Sequence, residues 1–454
     1  EQGCTLTAKA AAGYRFAGWY ADESHSELLC GTETYSFVPA TYRTWIYPYF
    51  EASKVHIITD IYKVSLECDA PYEVDQDEES FIVPAGSRCT LRVNYELPLF
   101  RGWYDQTGGQ NVLLGTARSI TFTATEKRAV MPGYLSATNL SAAGTANSYI
   151  AAAHNAGYRF NSRVQGNGRA TTGLTPATLS GTTARVLWES GGTRGGVVAE
   201  VEHTGSTICF RTGPNYGNAL IGLFDAAGRC IWSWHIWHTN YDPWATAQTC
   251  ASGYTFMDRN LGATSALEAD GAASFGLLYQ WGRKDPFYGG EKNEDSGDGV
   301  FLRARESTIV NPAHASLAWI AVQCDEQVGT VAYATAHPTT FLFNSPNGNK
   351  DWLFTGEDAL WDNAGKKTNY DPCPAGYRVP DQAAWGNISS YNVDDGPNSD
   401  GKYYTTDSGA KTWFPLCGHR WGDKDAGKLG YVGAYGTMGC WQRTAEGSNA
   451  AMFY

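Results

Sequence analysis

Apolar and polar residues alternate over short stretches of this chain, most clearly between residues 135 and 245. Seven segments there are typical of strands: ANSYIAAA, GYRF, ARVLWES, VVAEVEH, STICFRTG, NALIGLFD and RCIWSWHIWH. Short strands at this spacing predict a β-sandwich. In the last segment Trp232, Trp234 and Ile236 share one face, and His235 and Trp237 share the other, which predicts a central strand packed on both sides.

The beginning of the chain contains an internal repeat. CTLTAKAAAGYRFAGWY at 4–20 matches CTLRVNYELPLFRGWY at 89–104, and the second copy extends to about residue 134. The first copy is incomplete, so we expect a partial unit at 1–50 and a second at 51–134. Aromatic residues in the two GWY sequences are typical of core packing in small sheets. Both units resemble the Listeria–Bacteroides repeat, which implies a β-grasp-like spacer.

Composition favours sheets joined by tight turns over helical bundles. Aromatic residues make up 13% of the chain, with 51 Gly and only 4 Met. A chain of 454 residues exceeds one ordinary core, so several domains are expected. The sequence therefore predicts a mainly β, multidomain protein.

Charge and hydropathy exclude two classes of partner. The net charge is −12 and Lys and Arg form no dense cluster, which argues against binding to nucleic acid. No apolar run approaches the ~20 residues of a transmembrane helix, so we expect no segment that spans a membrane.

Eleven cysteines without a CxxC motif favour disulfides in an oxidising compartment over metal clusters. Connectivity stays open, and the candidate pairs are Cys4 with Cys30, Cys68 with Cys89, and Cys209 with Cys230. The odd count leaves one cysteine unpaired. Because the chain opens inside a repeat and shows no signal peptide, we expect a mature or trimmed fragment of an exported protein.

Three runs stand out in the C-terminal part: MDRNLGATSA at 257–266, YQWGRKDPF at 279–287 and DPCPAGYRVP at 371–380. Together they resemble the Fibrobacter succinogenes major paralogous domain of Bacteroidetes-type surface and fimbrial tip proteins. The resemblance implies a C-type-lectin-like α+β module over 246–454, stapled by disulfides and preceded by the β-sandwich-like domain at 135–245. The matching framework residues are Asp258, Arg259, Trp281, Arg283, Cys373, Gly376, Arg378, Pro380 and Trp385.

The YQWGRKDPF run supports two interpretations. Trp281 and Arg283 could form a binding hot spot, since Trp and Arg are enriched in such spots. Alternatively, Trp281 packs in the core and Arg283 pairs with a nearby acid, which we favour because these are framework residues. Specificity is then expected in the loops at 286–300, 325–350 and 392–402, because loops on a rigid scaffold carry recognition.

Two sets of residues suggest metal binding. His235 and His238 lie three apart on a predicted strand and so point to opposite faces, which disfavours a shared zinc ion. Two acidic turns, NEDSGDG at 293–299 and NVDDGPNSDG at 392–401, supply the oxygen ligands that calcium prefers. Neither turn matches an EF-hand loop, and the alternative is that both are ordinary solvated turns. The calcium candidates are Asp295, Asp298, Asp394, Asp395 and Asp400. No other cofactor is expected.

Catalysis finds little support in the sequence. No GxSxG, HExxH or P-loop pattern occurs. GYRVPDQAAW resembles an element of formylglycine-generating enzymes, which implies a paired-cysteine copper site, but Cys417 and Cys440 lie far apart in unrelated contexts. We therefore expect a protein that is not an enzyme.

The family resemblance implies an extracellular adhesin, displayed at the cell surface or on a fimbrial tip. Its C-terminal module would bind a host or microbial protein or glycan, and other fimbrial subunits are further partners. One alternative is a carbohydrate-capture protein of a nutrient-uptake system, with Trp and Tyr stacking on sugar rings. Another is a lectin-fold enzyme. The sequence does not identify the ligand.

Overall fold

The computed structural model describes residues 3–452 apart from 12, 41–42, 95–98, 168–175, 251–252, 290–319, 344–350, 357, 362–365, 381–383, 385–392, 396–400, 406–408, 423–425, 428, 431–439 and 444–449. Strands dominate the described residues, so the predicted mainly β fold class is confirmed. The chain divides into two compact units, Glu1–Leu135 and Ser136–Tyr454. Within the described ranges, no helix has both the length and the apolar character needed to cross a membrane.

The first copy of the repeat forms five strands. They are β1 (Cys4–Thr7), β2 (Tyr14–Tyr20), β3 (Leu28–Cys30), β4 (Thr34–Phe37) and β5 (Tyr47–Ala52). β1 pairs with β4, while β2 lies between β3 and β5 in a separate antiparallel sheet. β2 bulges between Phe16 and Gly18, next to the buried Trp19.

The second copy and its flanking strands form a larger assembly of two sheets. Its strands are β6 (Lys54–Ile58), β7 (Val64–Cys68), β8 (Glu73–Asp75), β9 (Ser80–Pro84), β10 (Arg88–Val93), β11 (Phe100–Asp105), β12 (Val112–Gly115), β13 (Ser119–Thr123) and β14 (Arg128–Tyr134), with a 3-10 turn at Thr107–Gly109. One sheet has the order β12-β11-β14-β6-β9-β8 and the other β13-β10-β7. Ile57, Val83, Leu91 and Trp103 are buried in one core cluster of this unit.

The two copies share a local strand arrangement. β11 lies between β12 and β14 as β2 lies between β3 and β5, and each middle strand bulges just before its GWY sequence. Gly102 has a φ of +131°, and a Cβ atom there would lie 2.6 Å from the backbone oxygen of Gly115, so only glycine fits. The bulge turns Trp103 into the core, where its Nε1 donates to the Ala117 carbonyl at 3.0 Å.

The C-terminal unit opens with two four-stranded sheets. Their strands are β15 (Ala137–Asn139), β16 (Ser148–Ala151), β17 (Gly157–Asn161), β18 (Thr183–Glu189), β19 (Val198–Thr204), β20 (Thr207–Thr212), β21 (Gly217–Phe224) and β22 (Cys230–His238). The orders are β15-β17-β20-β19 and β16-β22-β21-β18. Both sheets contribute to one core cluster, so they form two packed layers.

β22 has the two buried faces that its alternation predicts. Trp232, Trp234 and Ile236 belong to the core shared by the two sheets. His235 and Trp237 are also buried, and their rings stack with centroids 6.3 Å apart. β22 is therefore covered on both sides.

The rest of the C-terminal unit has short elements and long connections. They are β23 (Gln248–Thr249), β24 (Thr255–Phe256), β25 (Leu277–Leu278), β26 (Phe287–Tyr288), β27 (Ile320–Gln323), α1 (Val331–Ala336), β28 (Thr340–Phe343), β29 (Val393–Asp395), β30 (Gly401–Thr405), β31 (Lys411–Pro415), β32 (His419–Arg420), β33 (Leu429–Gly430), β34 (Cys440–Arg443) and β35 (Ala450–Met452), with 3-10 turns at Glu268–Ser274 and Asp358–Leu360. The stretch 325–350, expected to be a loop, contains α1 and β28. The Thr330 side chain caps α1 by accepting from the Tyr333 N–H at 3.1 Å.

Two buried amides tie the layered sheets to the DPCPAGYRVP run. Asn147 Nδ2 donates to the carbonyls of Asn369 at 2.7 Å and Asp371 at 2.9 Å, while its Oδ1 accepts from Trp232 Nε1 at 3.0 Å. Asn167 Nδ2 donates to the carbonyls of Thr368 and Asp371. Residues 136–454 therefore share polar contacts across the predicted boundary at 245.

Cys4, Cys30, Cys68, Cys89, Cys209 and Cys230 are free thiols, so none of the three candidate disulfides is formed. Cys209 lies on β20 and Cys230 on β22, in different sheets, so the expectation that they bridge neighbouring strands is wrong. Cys4 and Cys30 also lie in separate sheets, on β1 and β3. Strand assignment alone does not reveal which sheet a strand joins, and this explains both misplacements.

Cys68 and Cys89 differ from the other two candidate pairs. They face each other across β7 and β10, with their sulfur atoms 3.6 Å apart. Burial, followed by the neighbouring Cys68, raises the pKa of the Cys89 thiol to about 12. Of the three candidate pairs, Cys68 and Cys89 are the pair that the structure positions for oxidation to a disulfide.

Candidate binding cavity

The C-terminal unit encloses a cavity of about 680 Å³. All three runs singled out in the sequence contribute to its wall: Arg259 from the first, Trp281 from the second, and Cys373, Gly376, Arg378 and Pro380 from the third. Aromatic residues dominate the lining, among them Trp244, Tyr254, Trp281, Trp352, Trp361 and Tyr377. The volume and the apolar character are typical of ligand sites.

The DPCPAGYRVP run is a turn built around the buried carboxylate of Asp371. Its Oδ1 accepts from the Cys373 N–H and its Oδ2 from the Val379 N–H, both at 2.8 Å. Lys367 Nζ donates to the carbonyls of Cys373 and Pro374 at 2.8 Å each, and also to that of Tyr377. Together, Asp371 and Lys367 hold the backbone that forms this part of the wall.

Gly376 brings the tip of this turn against Trp244. Its φ is +84°, and a Cβ atom there would lie 2.4 Å from Cζ2 of the indole. The Trp244 and Tyr377 rings are 4.7 Å apart, and Tyr377 Oη donates to the Pro243 carbonyl at 2.7 Å. Trp244 is 65% exposed and Tyr254 37%, so these two rings form the open side of the cavity.

The MDRNLGATSA run is held on the layered sheets. Asn218 Nδ2 donates to the Gly262 carbonyl at 2.9 Å, and Trp237 Nε1 donates to the Ala263 carbonyl at 3.2 Å. Arg259 pairs with Asp258 at 2.8 Å and lies over the Tyr241 ring at 4.0 Å. Arg259 thus reaches the cavity wall already oriented by a carboxylate and an aromatic ring.

Arg283 is buried behind the cavity, not in its lining. Its guanidinium donates to the carbonyl of Thr340 at 2.7 Å and to that of His337 at 3.3 Å, just after α1. The expectation that Arg283 pairs with a nearby acid is therefore wrong, because backbone carbonyls at the end of α1 take that role. Burial lowers the pKa of Arg283 to about 10.

The neighbouring charges of the same run are also structural. Lys284 Nζ binds Asp285 Oδ1 at 2.6 Å and the Ser233 carbonyl at 3.1 Å, and all three residues are buried. The ammonium also lies 4.6 Å from the centre of the Trp232 ring. This ion pair connects the YQWGRKDPF run to β22.

Trp281 is the framework residue of that run that lines the cavity. Its ring lies 5.1 Å from that of Trp361, and its carbonyl accepts from Trp352 Nε1 at 2.5 Å. Its own Nε1 has no hydrogen-bond partner among the described residues. Trp281 therefore contributes an aromatic ring to the cavity wall, with its indole N–H buried.

Charged groups in the lining are mostly basic. Arg259, Arg378 and Arg420 contribute guanidinium groups, and Asp351 contributes the acid in the described lining. A pair of carboxylates, as glycoside hydrolysis requires, is not present among these lining residues. The arrangement suits a ligand with an apolar ring and oxygen acceptors.

The two histidines considered for zinc have different hydrogen-bond partners. His235 is fully buried, with Nδ1 at 2.6 Å from Ser148 Oγ and Nε2 at 2.9 Å from Asn218 Oδ1, and burial lowers its pKa to about 3. His238 instead contacts His154, with His154 Nδ1 and His238 Nε2 2.9 Å apart. Both nitrogens of His235 are occupied by protein, which fits the packing interpretation.

Several predicted residues fall outside the described part of the chain. These are Trp385 and the calcium candidates Asp295, Asp298 and Asp400. Asp394 and Asp395 lie on β29, which pairs with β30. The loop at 286–300 is described only as far as 289.

Sequence reasoning missed the three residues that shape the turn: Asp371, Lys367 and Trp244. Asp371 had a local signal, since Asp followed by Pro and then a free N–H is typical of an Asx turn. Lys367 had none because its partners are backbone carbonyl groups, and Trp244 had none because its partner is a glycine far along the chain.

Comparisons with known proteins assign no family. No family model matches the chain, and no curated protein matches it. A crystal structure of the N-terminal four Ig domains of Dscam1 isoform 6.44 aligns with 52% of this chain and 73% of its own, at 9% identity and a TM-score of 0.12. A likeness of that size assigns no fold.

Proposed function

We propose that this protein is an extracellular, non-enzymatic adhesin that binds its ligand in the aromatic cavity of the C-terminal unit. The observation that carries the proposal is the convergence of three separate runs on one cavity of about 680 Å³. Trp, Tyr and Arg, which dominate binding hot spots, line it together. Display at the cell surface or on a fimbrial tip rests on the family resemblance of those runs.

The ligand class follows from the chemistry of the wall. Aromatic rings contact an apolar or ring-shaped group, while the guanidinium groups donate to oxygen acceptors. A glycan or a protein segment on a host or microbial surface presents both features. The repeat units at 1–134 then serve as a spacer.

A glycan and matrix-protein array probed with the full chain tests the proposal. Trp244→Ala should abolish the signal on the ligand spots, because Trp244 forms the open side of the cavity. Trp45→Ala is the matched control, since Trp45 is 70% exposed and lies in the N-terminal unit. Equal signals from both variants would contradict the assignment of binding to this cavity.

Carbohydrate capture for nutrient uptake is the second candidate. Trp244 and Tyr254 are exposed beside the cavity, and exposed aromatic rings stack on sugars. Soluble oligosaccharides should then bind as tightly as immobilised glycans. Binding to proteins that carry no glycan would favour the adhesin.

A further inference from the structure

The N-terminal unit brings three metal-ligating side chains together at one edge of its larger sheet. His56, Asp75 and Glu78 each offer one ligand atom, and these atoms lie within 4.8 Å of one another. His56 comes from β6, Asp75 ends β8, and Glu78 lies in the turn before β9. None of them belongs to the cavity of the C-terminal unit.

Strand pairing and a side-chain turn explain why these groups meet. β9 lies between β6 and β8, pairing Ser80 with Ile58 on one side and with Asp75 on the other. Asp75 Oδ1 accepts from the N–H groups of Asp77 at 3.0 Å and Glu78 at 3.1 Å, which folds the turn back over the sheet. Asp75 keeps a second carboxylate oxygen for an ion.

The imidazole of His56 is positioned by its neighbours. Its Nδ1 lies 3.0 Å from Ser80 Oγ and 3.4 Å from Glu78 Oε2. The side chain is 29% exposed, so an ion could reach it from solvent without unfolding the sheet. His56 and Glu78 thus already face the same space.

A lysine ammonium now occupies part of that space. Lys127 Nζ lies 3.2 Å from Glu78 Oε2, and the Lys127 side chain is 59% exposed. An exposed lysine of this kind contributes little binding energy and is free to move away. It partly neutralises a group of acids that a divalent ion would neutralise more fully.

We propose that His56, Asp75 and Glu78 form a binding site for a divalent transition-metal ion, with Zn²⁺ as the best match. One imidazole and two carboxylates are ligands that zinc takes, whereas calcium and magnesium prefer oxygen alone. Three protein ligands leave a position for water. A bound ion would connect β6 to the turn between β8 and β9, and so stiffen this edge of the repeat unit.

Isothermal titration of metal-stripped, tag-free full-length protein with Zn²⁺ tests the proposal. His56→Ala and Asp75→Asn should each remove one site or weaken it by roughly tenfold or more, equivalent to about 1.4 kcal/mol. Asn at position 75 retains an oxygen for the turn, so this variant separates ligation from folding. Lys127→Gln should tighten zinc binding, because the competing ammonium is gone.

Two control variants change charge elsewhere in the N-terminal unit without touching the ligands. Lys54→Gln removes a lysine that pairs with Glu73 at 2.6 Å, and Glu67→Gln removes an acid that pairs with Arg92 at 3.2 Å. Both should bind zinc as the natural chain does. Circular dichroism establishes that each variant is folded.

A spectroscopic measurement makes the test independent of any folding defect. Zn²⁺ should shift the ring signals of His56 in the NMR spectrum of the unmodified protein. Unchanged His56 signals on zinc addition would overturn the proposal, as would equal stoichiometry and affinity in the natural chain and Asp75→Asn. Calcium binding as tight as zinc binding would also overturn it, by indicating a nonspecific acidic surface.

Discussion

The indole of Trp244 lies against the backbone of Gly376, so closely that a Cβ atom on Gly376 would be 2.4 Å from Cζ2. The contact joins the segment that follows the layered sheets to the tip of the DPCPAGYRVP turn. It also sets the position of an exposed ring at the open side of the cavity. The geometry of that opening therefore depends on a residue without a side chain.

Gly376→Ala should weaken ligand binding more than it weakens the fold. The left-handed φ of +84° costs alanine roughly 1–2 kcal/mol, and the new methyl group displaces Trp244. Gly228→Ala is the matched control, since its φ is +79° and its Cβ would meet nothing within 4 Å. Urea unfolding should show similar losses of unfolding free energy for both variants. An array signal for ligand binding that falls equally in both variants would contradict this prediction.

Asp371→Asn should destabilise the C-terminal unit by about 2–3 kcal/mol, because a buried charge that accepts two backbone N–H groups is replaced by an amide that satisfies one. At the surface, Asp325 also accepts from two backbone N–H groups, those of Gln327 and Val328, both at Oδ1. Asp325→Asn should cost roughly 1 kcal/mol or less. Denaturant midpoints of the two variants check the difference, and equal midpoints would show that Asp371 is not structural.

Stability should fall as the pH drops from about 6.5 towards 3, owing in part to His235. Burial lowers its folded pKa to about 3, so the unfolded chain binds the extra proton throughout that window. One such group contributes up to about 1.4 kcal/mol per pH unit. His235→Gln should flatten the pH dependence of the unfolding free energy, measured by urea unfolding across this window, and an unchanged slope would contradict the prediction.

Mild oxidation should join Cys68 to Cys89. Their sulfur atoms face each other across β7 and β10, and the closed loop should stabilise the N-terminal unit by roughly 3 kcal/mol. Mass spectrometry of alkylated peptides should show both thiols protected after oxidation, and Cys68→Ser should abolish the gain in melting temperature. Continued labelling of both thiols by the alkylating reagent would rule the bond out.

Local patterns predicted what depends on local chemistry. The period of two around Trp234 identifies the two buried faces of β22, and the matching GWY sequences identify equivalent bulged strands. The residues that contact each other from distant parts of the chain could not be predicted from these local patterns. Arg283 was assigned an acid because sequence shows carboxylates but not the carbonyls that a helix end exposes.

The cavity was predictable in its parts but not as a site. Each of its three runs was distinctive by composition, yet Arg259 and Arg378 lie far apart in the chain. Neither segment alone predicts that Arg259 and Arg378 line the same cavity. The contacts that hold the two segments in place are made by Asn147 and Asn218 on the layered sheets.

The amides of Asn147 and Asn167 bind carbonyls 222 and 201 residues further along the chain. Such contacts require a long loop to close before they form, so the turn that bears Gly376 should be among the last parts of the unit to reach its native state. During synthesis on a ribosome, the side-chain amides of Asn147 and Asn167 would lack these hydrogen-bond partners until the later segment had been synthesised. A replacement for that segment would have to place its backbone carbonyls at the same positions, so the two ends of the unit Ser136–Tyr454 depend on each other to fold.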